Sequence, residues 1–252
     1  MHQMPETRQT VILAAGFGSR LSATRGELPK PLVTVAGKPL LEHALAQAEA
    51  AGVEEAVIVT GNSAALIESH LASIDTPLKL TPVYNPRFHE PNGVSLLAAE
   101  VALTGPFYLQ MADHLFAQPV LRQLDAPEAA AAGCMRLLVD FHPVGIDQDD
   151  ATKVRVADGR ISHIGKDVVP YDAVDTGYFR LDPRVFDALR DVARREPPSV
   201  TLGMRRLIEQ GLFAPVALTG VRWMDVDTPE DYAKAELLLA AARRREQRVA
   251  VV

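Results

Sequence analysis

LAAGFGSRL at residues 13–21 and LPKPL at residues 28–32 follow the apolar run at residues 10–14. Together they predict a buried strand that ends in two glycines, then an arginine, then a lysine framed by prolines. Such a loop suits a phosphate. Gly16 and Gly18 can take positive φ and turn main-chain N–H groups toward an anion, while Arg20 and Lys30 add fixed and mobile positive charge. Two better-known phosphate loops are excluded: there is no G-x-x-x-x-G-K-[ST], and Leu21 stands where the third glycine of G-x-G-x-x-G belongs.

Outward from that loop, apolar runs alternate with helical periods, the pattern of helices packed on a largely parallel sheet. Pro39 opens a predicted helix whose Leu40, Leu41, Ala44, Leu45 and Ala48 share one face, and Gly52 closes it. A strand at Glu55–Thr60, a helix at 63–71, a strand at 78–84, a helix at 94–103 and a strand at Phe107–Met111 continue the alternation. Residues 135–179 are β-rich with a turn signal at Asp158-Gly159, so a small antiparallel insertion is expected there. Helices at 183–194 and 201–210, with Gly211 as stop, precede a strand at 212–218. Thr228 as N-cap, Pro229 at the first position and Glu230 and Asp231 near the positive dipole end mark the last helix, about 228–248. The fold class expected is α/β: a Rossmann-like, mostly parallel sheet with helices on both faces.

At 252 residues, with no linker or repeat, the chain reads as one domain, 1–252. A net charge of −6 gives no reason to expect nucleic acid, so any anionic substrate must meet a local cluster of cations. No stretch resembles a leader or approaches a membrane span, and the single cysteine, Cys134, lies in an apolar run and reads as core. A cytoplasmic enzyme is expected. The arginines at 243–248 read as dipole partners on a solvated helix end.

Asp113, in QMADHLF, ends a predicted apolar strand, where α/β folds bind ligands. Asp225 and Asp227, in WMDVDTPEDY, stand just before the last helix. Mg²⁺ takes one or two carboxylates and fills its other positions with water and substrate phosphate, so aspartates from separate strands suffice. Asp227 reads equally as a carboxylate shaping the start of the helix. His114 reads as touching substrate or as supporting Asp113.

These motifs resemble the sugar-phosphate nucleotidyltransferases, which join a nucleoside triphosphate to a phosphorylated small molecule and release pyrophosphate. LAAGFGSRL with LPKPL, NGVSL (92–96), ADH (112–114), ATKV with DGRI and IGK, DAVDTGYF and WMDVDTPE are similar to the cytidylyltransferase branch that acts on inositol 1-phosphate. The resemblance implies a nucleotidyltransferase fold (GT-A-like), with a phosphate loop at 13–32 and an acceptor-binding insertion at about 135–180. It implies nucleotide contacts from Leu13, Ala14, Ala15, Gly16, Gly18, Ser19, Arg20, Lys30, Gly61, Asn62, Asn92, Gly93, Ser95 and Asp113. The acceptor would meet His114, Lys153, Lys166, Asp175, Thr176 and Gly177. Mg²⁺ would sit on Asp113 and Asp225, with Asp227 a further candidate, and Arg20, Lys30, Asp113 and Lys166 would be catalytic. The partners implied are CTP and a phosphorylated small molecule, with no nucleic acid or membrane span and with a homodimer left open.

The chain departs from the family pattern at Gln110-Met111-Ala112, where many relatives carry a glycine before the aspartate. It also lacks the transmembrane helices of the fused phosphotransferase, so a free-standing transferase is expected. Other acceptors (a sugar 1-phosphate, phosphocholine, a phosphonate) with UTP, dTTP or GTP stay open. So do a metal-dependent glycosyltransferase, reading Asp225-Val226-Asp227 as D-x-D, and an inactive regulatory subunit. Lys30 in LPKPL and the early glycine loop argue against the glycosyltransferase, which has no pyrophosphate to expel, and the retained Arg20, Lys30, Asp113 and Asp225 argue against the inactive subunit.

Overall fold

The computed structural model describes residues 7–18, 28–125 and 133–249; Ser19 and Arg20 lie outside the described residues. Strand β1 (Gln9–Leu13) pairs in parallel with two strands. On one side is β4 (Glu55–Thr60), which pairs with β5 (Lys79–Tyr84); on the other is β6 (Phe107–Met111). Two short strands, β2 (Thr34–Val35) and β3 (Lys38–Pro39), form a hairpin beside this quartet.

The period-2 alternation of the strands decides which layer each side chain joins. Val11, Val57 and Leu109 stand in register and belong to one apolar cluster, while Ile12, Ile58 and Tyr108 belong to the cluster on the opposite face. The second face receives α1 (Leu40–Ala50), with Leu41, Ala44, Leu45 and Ala48, and α2 (Ala64–Leu71), with Ile67 and Leu71. Each fully buried Ile or Leu of this kind stabilises by roughly 1.5–3 kcal/mol. Pro39 is the N-cap of α1 and not its first helical residue. Gly52, at φ 73°, ends the helix as expected: its N–H donates to the Glu49 carbonyl and that of Val53 to the Ala48 carbonyl.

The first face receives α3 (Asn92–Ala99), which begins two residues before its predicted start, so Asn92-Gly93 is a first helical turn and not a free turn. Glycine is needed there because a Cβ at 93 would lie 2.6 Å from the Pro198 carbonyl oxygen. The same face is covered by α4 (Arg184–Ala193) and α5 (Val200–Glu209). The Ser199 hydroxyl caps α5 by accepting the Leu202 N–H at 3.1 Å, and Gly211 stops it.

The expected antiparallel insertion extends the same sheet. Its hub is β11 (Ala173–Leu181), antiparallel to β6 at one end and to β9 (Lys153–Ala157) at the other. Along its opposite edge runs β8 (Met135–Asp140), with β12 (Phe213–Ala217) parallel beyond it. β9 and β10 (Arg160–Gly165) form a hairpin whose turn residues, Asp158 at φ 50° and Gly159 at φ 72°, both take the left-handed conformation a two-residue turn requires. The register of β11 on β8 shifts between Asp175 and Phe179, around Gly177 at φ 74°.

Finally β7 (His114–Phe116) pairs antiparallel with β13 (Trp223–Asp225), with His114 opposite Asp225. A third apolar cluster, containing Leu115, Met224, Val226, Ala235 and Leu239, seats α6 (Pro229–Val249) on this ribbon. Thr228 caps α6 reciprocally with Asp231, each side chain bonding the other's N–H. Arg243 and Arg244 of the arginine-rich end are exposed as expected, and Arg243 donates to the Ala36 carbonyl at 2.8 Å. Among the described residues no helix is long and apolar enough to cross a membrane. Cys134 is buried as expected.

Candidate active site

The carboxyl ends of β1 and β6 open onto a cleft of about 240 Å³ lined by Leu13, Ala14, Gly16, Gly18, Lys30, Pro31, Ala112, Asp113 and Asp227. Parallel strands expose their last residues here because the chain must leave the sheet toward a helix, and the crevice between neighbouring exits receives ligand. Gly18 takes φ 55°, and a Cβ on it would lie 2.6 Å from the Lys30 Cβ, so glycine is required both for the turn and for the approach of the lysine. Gly16 differs from the expectation: it does not take positive φ, and a Cβ there would meet nothing within 4 Å.

The lysine is held, not mobile. Lys30 follows Pro29, whose extended backbone (φ −65°, ψ 144°) leads into the 3₁₀ turn Lys30–Leu32. With only 7% of its surface exposed, its ammonium donates to Asp113 Oδ2 at 2.6 Å and is paired with Asp227 Oδ1. Burial works against its charge, but the two carboxylates outweigh that and hold its pKa above the ordinary value. Burial likewise opposes the charge of Asp113, yet Lys30 and His114 bring its pKa down to about 2.

Asp113 lies two residues past the end of β6, where the chain turns into β7. The Val226 N–H donates to its carbonyl at 3.0 Å, which draws the Asp225 to Asp227 segment beside it. Asp225 has its pKa raised, first by burial and further by repulsion from Asp227 and Asp113, with His114 opposing. Among the described residues no group of three or more His, Cys, Asp or Glu stands ready to hold a metal. A hard cation that brings phosphate oxygens with it needs only one or two carboxylates.

His114 joins this carboxylate cluster to the insertion. Its Nδ1 faces the Thr176 carbonyl at 2.7 Å, and because a carbonyl only accepts, Nδ1 carries the proton. Nε2 is turned toward Asp113 Oδ1 at 3.7 Å. The ring stacks on Trp223 with centroids 5.7 Å apart, and the Trp223 indole N–H donates to Asp140 Oδ2 at 2.9 Å. Asp175 accepts the Gly177 N–H at 2.7 Å; burial raises its pKa to about 6 against the pull of that bond and of His114. Thr176 is fully buried and its hydroxyl donates to the Leu138 carbonyl, so only its main chain is turned toward His114.

Lys153 and Lys166 stand farther along the insertion. Asp175 N–H donates to the Thr152 carbonyl, Lys153 Nζ to the Lys166 carbonyl at 3.0 Å, and the exposed Lys166 ammonium pairs with Asp150. Gly61 is packed beneath Phe88 and Ala15, and the Asn62 N–H donates to the Ala15 carbonyl, which sets this turn against the glycine loop. Asn92 and Ser95 are engaged elsewhere: Asn92 Oδ1 accepts the Val200 N–H at 2.9 Å, and Ser95 Oγ accepts from Asn85 at 3.0 Å. Reading the sequence missed Trp223 and Asp140 as supports of His114 and Asp150 as the partner of Lys166. The WMD motif carried a signal for Trp223; the other two had none. A larger hollow of about 400 Å³ between α6 and the 220–224 segment is mainly apolar and holds no carboxylate.

Residues 10–158 match the family model described as the MobA-like NTP transferase domain. The chain is 34% identical over 230 residues to the bifunctional IPC transferase and DIPP synthase of Aquifex aeolicus, covering 91% of this chain and 51% of that one. It is 36% identical over 234 residues to the protein of the same name from Archaeoglobus fulgidus, covering 93% and 44%. The chain thus spans about half the length of these curated relatives. Among solved structures, the inositol-1-phosphate CTP transferase from T. maritima superposes with a TM-score of 0.84 at 25% identity, covering 95% of this chain and 98% of that one. A UDP-glucose pyrophosphorylase from Acinetobacter baumanii, at TM-score 0.76 and 18% identity over 96% and 99%, shares the fold.

Proposed function

The chain belongs to the MobA-like NTP transferase domain family, and from that premise we propose that it moves the cytidylyl group of CTP onto inositol 1-phosphate, giving CDP-inositol and pyrophosphate. The observation that carries the reading is Lys30, buried at the floor of the glycine loop and clasped by Asp113 and Asp227. The names of the relatives and of the T. maritima structure support the choice of substrates.

In the reaction an oxygen of the acceptor phosphate forms a bond to the α-phosphorus of CTP. The bond from that phosphorus to the α,β-bridging oxygen breaks, and pyrophosphate leaves with the electron pair. The attacking phosphate monoester, with a second pKa of about 6, is largely ionised at neutral pH and needs no general base. The obstacle is repulsion between anions, and fixed cations in a closed cleft offset it most effectively as charge moves toward the leaving group. Lys30 meets the triphosphate beside the N–H groups of the glycine loop, with Ser19 and Arg20 assigned to the same ligand. His114 stands between the carboxylate cluster and the acceptor insertion, with Nε2 toward Asp113 and Nδ1 toward Thr176; Asp175 and the Gly177 main chain line the polyol, and Lys166 with Lys153 meets its phosphate. The nucleotide base is assigned to the Gly61-Asn62 turn, because Asn92 and Ser95 are tied to Val200 and Asn85 within the fold.

Asp113 and Asp225 are hard oxygen donors, and Asp225 has its pKa raised first by burial and then by the nearby charges of Asp227 and Asp113, so its charged form gains from a cation beside it. They fit Mg²⁺, with Asp227 beside them. When bound, Mg²⁺ stabilises charge on the reacting phosphoryl oxygens and aligns the displacement. We read residues 1–252 as one catalytic unit acting in the cytoplasm, alone or as a homodimer.

Pyrophosphate release, measured for CTP, UTP, dTTP and GTP crossed with inositol 1-phosphate, glucose 1-phosphate and choline phosphate, tests the proposal. CTP with inositol 1-phosphate is the expected best pair. A pocket built to bond hydroxyls rejects a ligand that lacks them by up to about 10⁴, so choline phosphate should turn over poorly. Preferential turnover of glucose 1-phosphate with UTP or dTTP would replace the acceptor and nucleotide.

A further inference from the structure

The chain leaves β10 through Ile164, Gly165, Lys166 and Asp167, and the guanidinium of Arg205 on α5 grips three of these four residues. Its Nε donates to the Ile164 carbonyl at 2.8 Å and its Nη2 to Asp167 Oδ1 at 3.0 Å. Between them, the space where a side chain at 165 would begin is taken by Nη2 itself, so that any residue but glycine would drive the guanidinium out. Lys166 is therefore fixed on both flanks by one side chain from helix α5, while its carbonyl is held by Lys153.

We propose that Arg205 is a positioning residue for the acceptor: it sets the path of the 164–167 segment and so the place from which the Lys166 ammonium meets the acceptor phosphate. This rests on the reading of Lys166 given above. A planar fork with fixed donor directions is required, because one nitrogen must reach a carbonyl along the strand while another reaches a carboxylate three residues on. Lysine carries its three donors on one nitrogen and so cannot present two separated nitrogens to the two acceptors. The Arg205–Asp167 pair is exposed, with 42% and 81% of the two side chains accessible, and exposed pairs of this kind add little to stability. Arg205 is placed to act on geometry more than on folding.

The test is steady-state kinetics with CTP, Mg²⁺ and inositol 1-phosphate on wild type, Arg205→Ala, Arg205→Lys, Lys166→Ala and the Arg205→Ala, Lys166→Ala double variant, with thermal midpoints for each. Arg205→Ala and Arg205→Lys should each raise the acceptor KM about tenfold, leaving the CTP KM and the midpoint near wild type, and in the Lys166→Ala background Arg205→Ala should have no further effect. A large effect of Lys166→Ala with none of Arg205→Ala, or fully additive effects of the two, overturns the positioning role. No effect of Lys166→Ala on the acceptor KM instead overturns the reading of Lys166 on which it rests.

Discussion

Gly177 and His114 touch across the site: a Cβ at position 177 would lie 2.4 Å from His114 Nδ1, well inside van der Waals contact. The bulge of β11 at Gly177 and the imidazole that links the carboxylate cluster to the insertion are one packing unit, because the Nδ1 proton is spent on the neighbouring Thr176 carbonyl. Gly177→Ala should break that bond and tilt the ring off Trp223. It also places alanine at φ 74°, which by itself costs about 1–2 kcal/mol. The expected result is a thermal midpoint lowered by a few degrees and a kcat lowered at least tenfold. Wild-type kcat in a folded Gly177→Ala protein would show that the ring's place is unimportant.

Lys30→Ala should lower kcat about a hundredfold, the usual effect of losing one donor that stabilises charge in the transition state. The same change leaves Asp113 and Asp227 facing each other without their cation, so stability should fall as well, and added Mg²⁺ should restore part of the midpoint. Kinetics and melting curves with and without Mg²⁺ check both. A raised KM for CTP with kcat unchanged would assign Lys30 to uniform binding.

Asp113→Ala and Asp225→Ala should each abolish Mg²⁺-dependent turnover while leaving a folded protein, since each removes a proposed metal carboxylate. Asp227→Asn separates two roles. Loss comparable to Asp225→Ala would place Asp227 on the metal, whereas a modest loss would leave it as the clasp of Lys30. Titrating turnover against Mg²⁺ for the three variants decides.

Asp175 carries a testable pH signature. Its folded pKa of about 6 stands above the ordinary carboxylate value, chiefly because burial disfavours the charge. The folded state therefore binds the proton more tightly than the unfolded chain, and Asp175 makes stability fall as pH rises from about 4 to about 6. Asp175→Asn, which can still accept the Gly177 N–H, should stabilise the protein at pH 7 and have little effect at pH 4. Thermal melts of the two proteins at both pH values measure it, and an equal effect at both would rule out the charge as the cause.

The glycine loop, the strand-and-helix alternation, the Asp158-Gly159 hairpin and the Thr228 cap were legible in the sequence because each is a local matter. Period 2 or 3.6, a left-handed turn and a cap are properties of a few consecutive residues, and among the described residues most elements fall within a residue or two of the expected bounds, the helix at 92–99 ending four residues early and Gly16 not taking positive φ being the departures. The motifs also singled out Lys30, Asp113, Asp225 and Asp227 from segments far apart in the chain. What only the tertiary structure decided is how those segments meet. The pairing of β7 with β13 brings Asp113 beside the 225–227 segment, and the packing of Gly18 on Lys30 turns a lysine expected to be mobile into a buried one held by two carboxylates. Asn92, expected at the nucleotide, is drawn to the N-terminus of α5, and Arg205, 38 residues from Asp167, reaches the loop of Lys166 from that helix. Local pattern fixes the conformation of a segment; which side chains share a site depends on burial and register between segments, where the partner of each group is set by the whole sheet and not by its neighbours in the chain.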